Sequence, residues 1–469
     1  MKNFVSVMCA AAATSIICGC QTVSPSAPAP PLEVAAPASY FPSDAELTEL
    51  LQTLAEEGEA KGIVLGLLEP DGRRRVIVHG YAGTGARPLS AETVFEIGSI
   101  NKTFTGAVLA DMVRRGEVAL EDPVSKYLPA GVSVPSRGRE ITLADLATHT
   151  SGLPRVPTGY KPPDMANPYA NYQARDLYGF LSSYTLERDV GAEPVYSNLG
   201  AGLLGHVLAR AAGVETIGEL IRDRITDPLN MGMTDYGRAG ELGAWLAKGH
   251  AEDGKPTPYW DVAVLAGAGG LNSNVNDMLT YLEANVADPQ TPLRAAMRDA
   301  HHPRRSLKTE GFSIGLGWQQ RTRGRQRIVH HGGSTGGFAT YLGFDPITRA
   351  GVVILGNSGG FDSRDAVVFQ LLKGSKFVTL PPSALREFVG TYQLRSDLLL
   401  TVSIEGEKLF GRIGKQRKAR MHAIGSDKFL LLTSDVQLRF ARDANGHSTW
   451  ATLTKGTNAL TGSKVAAPN

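Results

Sequence analysis

The chain of 469 residues has a balanced composition, in which 42% of the residues are hydrophobic and 20% are charged. This length and composition are typical of a globular protein of two or three domains. The formal net charge of +2 provides no basic field, so it gives no reason to expect nucleic acid or an anionic membrane surface as a partner.

The first 20 residues predict an export signal. Lys2 precedes an apolar run at residues 4–17, which is too short to cross a bilayer as a stable helix. The run ends in Ile-Cys-Gly-Cys, a pattern that resembles a bacterial lipobox and predicts lipidation of Cys20. A plain secretory signal cleaved nearby is the alternative. Because Gln21 rather than Asp follows that cysteine, resemblance to known sorting signals predicts a lipid anchor in the outer membrane, with the protein on the periplasmic side.

All three cysteines lie within this signal, so neither a disulfide nor thiol chemistry is expected in the mature protein. The following residues, 21–43, are rich in proline and alanine and predict an extended tether. A capping box at Ser43–Glu46 then begins an amphipathic helix. Apolar stretches on either side of Pro70–Gly72 predict a β-hairpin. The folded body is therefore expected to begin near residue 44.

A second helix is predicted from Ser99 to near Gly116, with apolar residues at three- and four-residue steps along one face. From about residue 120 to 260, helices alternate with loops that contain proline and glycine, which predicts an inserted helical domain. The sheet is expected to resume after Gly267–Leu271, where Ser273 is expected to cap the next helix.

Three short strands and a closing helix are then predicted at Arg327–His331, Ala339–Phe344, Gly351–Leu355 and Asp365–Leu372. Residues 44–378 are thus expected to form an α/β (α+β) domain, in which an antiparallel sheet is flanked by helices and interrupted by the all-helical insertion. Alternating apolar residues from Leu400 onwards predict a small β-domain at residues 385–469, a barrel of up to about eight strands. It carries no catalytic constellation, so a packing accessory is favoured over a substrate-gating role.

One stretch of the chain places a serine and a lysine one helical turn apart. Ser99 and Lys102 lie at the start of the second predicted helix. There, unpaired backbone N–H groups and the helix dipole favour developing negative charge. The pair therefore predicts a nucleophile and its activator.

Two further motifs have the residue types of an active site. Tyr-x-Asn occurs at Tyr169–Asn171 and at Tyr196–Asn198, and the second copy is favoured because a fixed turn precedes it and an apolar helix follows it. The other motif is the glycine-rich end of a strand at His331–Phe338. Glycines without side chains would let a substrate backbone lie against this strand.

In this order, the motifs resemble those of the serine β-lactamase and penicillin-binding protein superfamily, above all its class C β-lactamase, DD-peptidase and esterase branch. The resemblance runs from about residue 44 to 375 and includes Leu146–Pro154 and Gly269–Leu271. It implies a β-lactamase/transpeptidase-like fold, a covalent acyl-enzyme, and no metal or other cofactor. The implied substrate is a small molecule or a peptidoglycan peptide, and the oligomeric state stays open.

The resemblance also assigns roles to single residues. Ser99 would attack the carbonyl carbon, while Lys102 and Tyr196 would share the proton transfers as a pair. Asn198 would hydrogen-bond the substrate amide and orient the lysine. The backbone N–H groups of Ser99 and Ser334 would form the oxyanion hole.

The third motif departs from the family pattern. Class C β-lactamases usually have Lys-Thr-Gly where this chain has His331-Gly332-Gly333, so a permanent cation and a hydroxyl are absent. Those groups help to bind the carboxylate of a β-lactam or of a terminal D-alanine, whereas histidine is mostly neutral at pH 7. His331, Gly333 and Ser334 remain the expected substrate-binding residues, but efficient β-lactamase activity is not expected. His149 has no part in the scheme and is expected to be a structural loop residue.

Three functions remain open from the sequence. The leading one is a D-Ala-D-Ala carboxypeptidase or endopeptidase of the cell envelope with weak β-lactamase activity. The second is a carboxylesterase of the same fold, which the missing carboxylate-binding groups favour. The third is a non-catalytic penicillin-binding or sensing lipoprotein, against which stands the complete set of Ser99, Lys102, Tyr196 and Asn198.

Overall fold

A computed structural model of the chain describes residues 39–83, 88–238, 240–432, 436–444, 447–456 and 458–465. The predicted signal peptide, Cys20 and the tether up to residue 38 lie outside the described residues, so these assignments stay predictions. From Ser39 onwards the chain forms one compact unit. Within the described ranges, no helix is both long enough and apolar enough to cross a membrane.

Helices cover the main sheet and fill the segment between its early and late strands. The capping box at Ser43 is confirmed: its hydroxyl accepts the Glu46 backbone N–H, and the Glu46 carboxylate accepts the Ser43 backbone N–H. The helices are α1 (Asp44–Glu56), α2 (Asn101–Arg114), α3 (Leu143–Ala147), α4 (Ala174–Ser183), α5 (Asn198–Ala212), α6 (Ile217–Ile221), α7 (Gly240–Trp245), α8 (Val275–Val286), α9 (Pro292–Ala300), α10 (Arg364–Leu372) and α11 (Pro382–Arg386).

The main sheet is antiparallel and has the strand order β2-β1-β10-β9-β8-β7-β6-β5. A separate two-stranded ladder, β3 with β4, lies at the start of the Ser99 turn. The strands are β1 (Gly62–Leu68), β2 (Arg74–Gly80), β3 (Phe95–Glu96), β4 (Asn272–Ser273), β5 (Arg305–Ser306), β6 (Phe312–Ile314), β7 (Gln319–Arg323), β8 (Gln326–Ser334), β9 (Ala339–Phe344) and β10 (Gly351–Gly356).

Both faces of the main sheet are covered, which explains why β1 is an unbroken apolar run. Ile63 and Leu65 point to a core shared with α1 and α10. Val64 and Leu68, on the opposite face, join the core that contains α2, α8 and α9. Alternate strand residues point to opposite faces, so a strand buried on both sides has no polar positions. This layering places α2, and with it the serine and lysine, in the middle of the molecule.

The C-terminal part forms a nearly closed antiparallel barrel with a core of its own. Its two edge strands are separated only by the buried Met421, so one bent segment pairs with β13 on one side and with β16 on the other. The strands are β11 (Gly390–Arg395), β12 (Leu398–Glu405), β13 (Lys408–Ile413), β14 (Ala419–Arg420), β15 (His422–Ala423), β16 (Lys428–Leu431), β17 (Val436–Arg442), β18 (Ser448–Lys455) and β19 (Asn458–Val465).

The fold class predicted from the sequence is confirmed, with local corrections. Among the described residues the barrel sheet has nine strands, and the prediction of up to about eight holds only if β14 and β15 count as one segment. The cap of α8 is Asn274 rather than Ser273, because the Ser273 hydroxyl is bonded to that of Thr234 while Asn274 accepts the Asp277 backbone N–H. The strands β5, β6 and β7 were not predicted. The domain boundaries at residues 378 and 385 stay predictions.

Candidate active site

Ser99 lies in a tight turn that joins β3 to α2. The turn, Gly98–Ile100, is a short 3₁₀ helix. Gly98 has a φ of +53° and lies so close to β8 that a Cβ atom there would be 2.6 Å from the Ser334 backbone nitrogen. Only glycine tolerates both the positive φ and the close approach. The half-buried Ser99 is thus held at the helix start with the end of β8 beside it.

The side chain of Lys102 is held in place by burial and by hydrogen bonds. It is only 2% exposed, and its Nζ atom makes three hydrogen bonds. The acceptors are Ser99 Oγ at 3.0 Å, Asn198 Oδ1 at 2.9 Å and the Ala268 carbonyl oxygen at 2.7 Å. Within the described part of the chain, Lys102 has no ion pair with a carboxylate.

The protonation state of Lys102 decides whether it can accept the proton of Ser99. Burial is the largest cause that lowers the pKa of its amine; interaction with Tyr196 opposes this shift, and the charge of Arg155 adds to it. A charged ammonium would donate to all three acceptors. A neutral amine has two N–H groups, enough for Asn198 and Ala268, and its lone pair can then accept the proton of Ser99. The geometry is therefore that of a base poised on a nucleophile.

Tyr196 lies on the turn that leads into α5. The turn is fixed from both sides, because Ser197 caps the helix by accepting the Gly200 backbone N–H at 2.8 Å, and the Arg155 carbonyl accepts the Asn198 backbone N–H at 2.9 Å. The Lys102 Nζ atom lies 4.9 Å from the centroid of the Tyr196 ring. The structure therefore brings the tyrosine, the asparagine and the lysine together.

His149 supports the turn that carries Tyr196. The sequence did not reveal this contact. Its Nδ1 atom accepts the Ser197 backbone N–H at 3.2 Å, and its ring lies 4.7 Å from that of Tyr196. Burial lowers the pKa of His149 to about 3, so the ring is neutral and carries its proton on Nε2. His149 adopts a positive φ of 61° to reach this position. A contact across 48 residues of chain leaves no local signal in the sequence.

His331 is buried on β8 and lies 6.2 Å, centroid to centroid, from the Tyr196 ring. Burial, and secondarily the charge of Lys102, lowers the pKa of His331 to about 3, so it is neutral. Its Nδ1 atom lies 2.7 Å from the Gly332 carbonyl oxygen, which can only accept. The proton is therefore on Nδ1, and Nε2 is an acceptor without a partner in the described structure.

The glycines after His331 make room for the protein itself. A Cβ atom on Gly333 would lie 2.0 Å from the Ile97 carbonyl oxygen and 2.6 Å from Thr340 Oγ1. A Cβ atom on Gly332 would meet the Tyr341 ring at 2.8 Å. The missing side chains thus let β8 pack against the Ser99 turn and β9. The expected contact of Gly333 with substrate stays a prediction.

A cleft opens above Ser99. Ser99, Asn198 and Ser334 lie on its floor, and Tyr169 and Trp260 form an aromatic wall with their ring centroids 5.8 Å apart. The first Tyr-x-Asn motif therefore contributes a wall residue and not the partner of the lysine.

The buried Glu96 ties this wall to the end of β8. Its carboxylate accepts the Trp260 backbone N–H and the Thr335 hydroxyl, both at 2.7 Å. Burial raises the pKa of Glu96, and these hydrogen bonds partly oppose the rise. Glu96 ends β3 and Ser99 follows three residues later, so the same short stretch of chain carries the nucleophile and the support of the cleft.

Comparison with known proteins shows which family this chain matches. A profile of the family described as Beta-lactamase matches residues 47–373. The chain is similar to the D-alanyl-D-alanine-carboxypeptidase/endopeptidase AmpH of Escherichia coli (strain K12), with 31% identity over 62% of this chain and 78% of the relative. It is also similar to a beta-lactamase of Pseudomonas fluorescens, with 25% identity over 66% of this chain and 91% of the relative.

Solved structures are similar over a comparable share of the chain. The D-alanine carboxypeptidase AmpC from Burkholderia cenocepacia has a TM-score of 0.60 and 25% identity, and the match covers 70% of this chain and 98% of that one. A class C beta lactamase from Rhodobacter sphaeroides has a TM-score of 0.58 and 26% identity, over 68% of this chain and 95% of that one. The C-terminal barrel lies outside the residues that the family profile matches.

Proposed function

This chain belongs to the beta-lactamase family and is a serine hydrolase, and from that premise we propose that it is a penicillin-binding D-Ala-D-Ala carboxypeptidase or endopeptidase of the cell envelope, with weak β-lactam turnover. One observation carries the proposal: the buried amine of Lys102 lies 3.0 Å from Ser99 Oγ and has no carboxylate partner in the described structure. The name of the AmpH relative supports the choice of substrate.

The proposed reaction proceeds through an acyl-enzyme. Neutral Lys102 accepts the hydroxyl proton while Ser99 Oγ forms a bond to the substrate carbonyl carbon. The backbone N–H groups of Ser99 and Ser334 stabilise the resulting oxyanion, each worth about 2.7–4 kcal/mol. The proton passes through the Lys102–Tyr196 pair to the leaving amine as its C–N bond breaks. Water then attacks the carbonyl carbon of the ester and gives a proton to the same pair, which passes it to Ser99 Oγ as the ester C–O bond breaks and the acid is released.

Asn198 fits a double role in this scheme. Its Oδ1 atom accepts from Lys102, so its Nδ2 atom is free to donate to the carbonyl oxygen of the substrate amide. The Nε2 atom of His331 is a buried acceptor, so it cannot donate a hydrogen bond to a substrate carboxylate.

The neutral His331 favours a second candidate, a carboxylesterase with the same nucleophile. An ester without a carboxylate has no need of the cation that this position lacks. For either activity, we propose the location that the N-terminal residues predict, a lipid anchor at Cys20 that holds the enzyme on the periplasmic side of the outer membrane.

Release of D-alanine from diacetyl-L-lysyl-D-alanyl-D-alanine tests the proposal. We expect turnover by the unaltered protein and by Ser183→Ala, which removes an exposed hydroxyl on α4, but not by Ser99→Ala or Lys102→Met. A p-nitrophenyl acetate assay runs beside it. If the protein hydrolyses the ester but leaves the peptide uncleaved, the peptidase proposal is rejected in favour of the esterase.

A further inference from the structure

The cleft has to bind the carboxylate of a terminal D-alanine without the lysine that the family usually provides. His331 cannot replace that lysine, because its buried ring is neutral and its free Nε2 atom is an acceptor. Arg364, at the start of α10, already donates to the Thr340 carbonyl oxygen and to Ser334 Oγ. Its guanidinium therefore serves to hold the end of β8.

Arg155 is a cation of a different kind. Its guanidinium carbon lies 5.1 Å from the centroid of the Tyr196 ring, and its side chain is exposed. Among the residues that the structure describes, none makes an ion pair with it. Burial is the main cause that lowers the pKa of Lys102 and of His149, and the charge of Arg155 adds to both shifts; burial raises the pKa of Tyr169, and the same charge partly opposes that rise. Arg155 therefore lies against Tyr196, close enough for its charge to act on Lys102 and on the cleft residue Tyr169.

The position of Arg155 is fixed by its backbone. Its carbonyl oxygen accepts the backbone N–H groups of Asn198 and Leu199, at 2.9 and 3.1 Å, and so closes the start of α5. The fork geometry of the guanidinium that this backbone carries matches a carboxylate.

We infer that Arg155 binds a carboxylate carried by the leaving group of the substrate, and so replaces the missing lysine as the determinant of specificity for a terminal D-amino acid. The inference rests on the proposed assignment of Tyr196 to the protonation of the leaving group. A leaving amine at the Tyr196 hydroxyl places its own substituents beside the ring, where Arg155 lies. The ligand class is an α-carboxylate on the departing half of the substrate.

Two aryl esters of one N-acylated D-alanine isolate this contact, a phenyl ester and a 3-carboxyphenyl ester. Both have the same acyl half, so they differ only in the carboxylate group that the leaving group carries. The variant is Arg155→Gln, which keeps a planar side chain on the Tyr196 ring and leaves the backbone bonds in place. Arg155→Lys keeps the charge without the fork. Arg175→Gln, at an exposed site on α4, is the matched control.

Loss of a charge-assisted hydrogen-bonded pair predicts that Arg155→Gln lowers kcat/KM for the carboxyphenyl ester by about 10- to 100-fold. For the phenyl ester the change should stay within about twofold, and Arg155→Lys should recover part of the loss. Equal losses on both esters would overturn the inference, because Arg155 would then act on Tyr196. No loss on either would overturn it too. Failure of the unaltered protein to release D-alanine would reject the peptidase proposal, while the ester pair would still decide the role of Arg155.

Discussion

Replacement of Gly333 by alanine should separate β8 from the Ser99 turn. The added Cβ atom would lie 2.0 Å from the Ile97 carbonyl oxygen, where an ordinary carbon–oxygen contact is about 3.3 Å. The obstacle is backbone, so no side-chain rotation relieves it. One of the two segments has to move by about 1.3 Å, the difference between these distances.

The move would pull apart the two backbone N–H groups expected to form the oxyanion hole, those of Ser99 and Ser334. A misplacement of about 1 Å in an active site costs about 100-fold in rate, and overpacking a core costs about 1–3 kcal/mol of stability. We therefore expect Gly333→Ala to lower kcat/KM for D-alanine release by about 100-fold and to lower the urea midpoint of unfolding.

Gly179→Ala is the control for this substitution. Gly179 lies inside α4, and apart from the backbone of its own helix and its two chain neighbours nothing lies within 4 Å of the position of its missing Cβ. Alanine there should leave the rate unchanged and stabilise the fold by about 0.5–1 kcal/mol. If Gly333→Ala has the rate and the unfolding midpoint of the unaltered protein, the packing of β8 against the Ser99 turn has been assigned wrongly.

Three further predictions concern Lys102 and the C-terminal barrel. Lys102→Met should slow acylation by about 10²- to 10⁴-fold while the far-ultraviolet circular dichroism stays unchanged; a smaller loss in stopped-flow assays would exclude the lysine as the base. Because burial lowers the Lys102 pKa and only the neutral amine accepts a proton, kcat/KM should fall as the pH drops through an apparent pKa below the usual lysine value of about 10.4. A profile that rises toward acid pH would contradict this assignment. Removal of residues 385–469 should lower the thermal midpoint of unfolding, because it takes the buried Leu430 out of the core that it shares with α1. The ratio of peptide to ester turnover should stay unchanged. A changed ratio would favour a substrate-gating role for the barrel.

Features set by neighbouring residues could be predicted from the sequence. The capping box of α1 and the β1–β2 hairpin depend on contacts a few residues apart, and both are confirmed. The Ser99 and Lys102 pair is of the same kind, because one helical turn fixes its spacing. The cap of α8 was assigned one residue too early, since the partner that occupies the Ser273 hydroxyl is Thr234, 39 residues away.

Features set by distant residues could not be predicted. The strand β5 has two residues at the edge of the sheet, and β7 consists of polar residues, so both lack the apolar alternation that identifies a strand. The support of Tyr196 by His149 and Arg155 depends on a loop some 40 positions earlier in the chain. The reason for the glycine at 333 was also not visible, because a sequence does not show which side of a strand faces a neighbouring turn.

Intact mass spectrometry after incubation with a fluorescent penicillin tests the central claim most directly. The unaltered protein should gain the mass of one opened penicillin, and Ser99→Ala should gain none. Because penicillin turnover is expected to be weak, the adduct should persist long enough to be measured. An adduct of the same mass on both proteins, or on neither while both are folded, would contradict the assignment of Ser99 as the nucleophile.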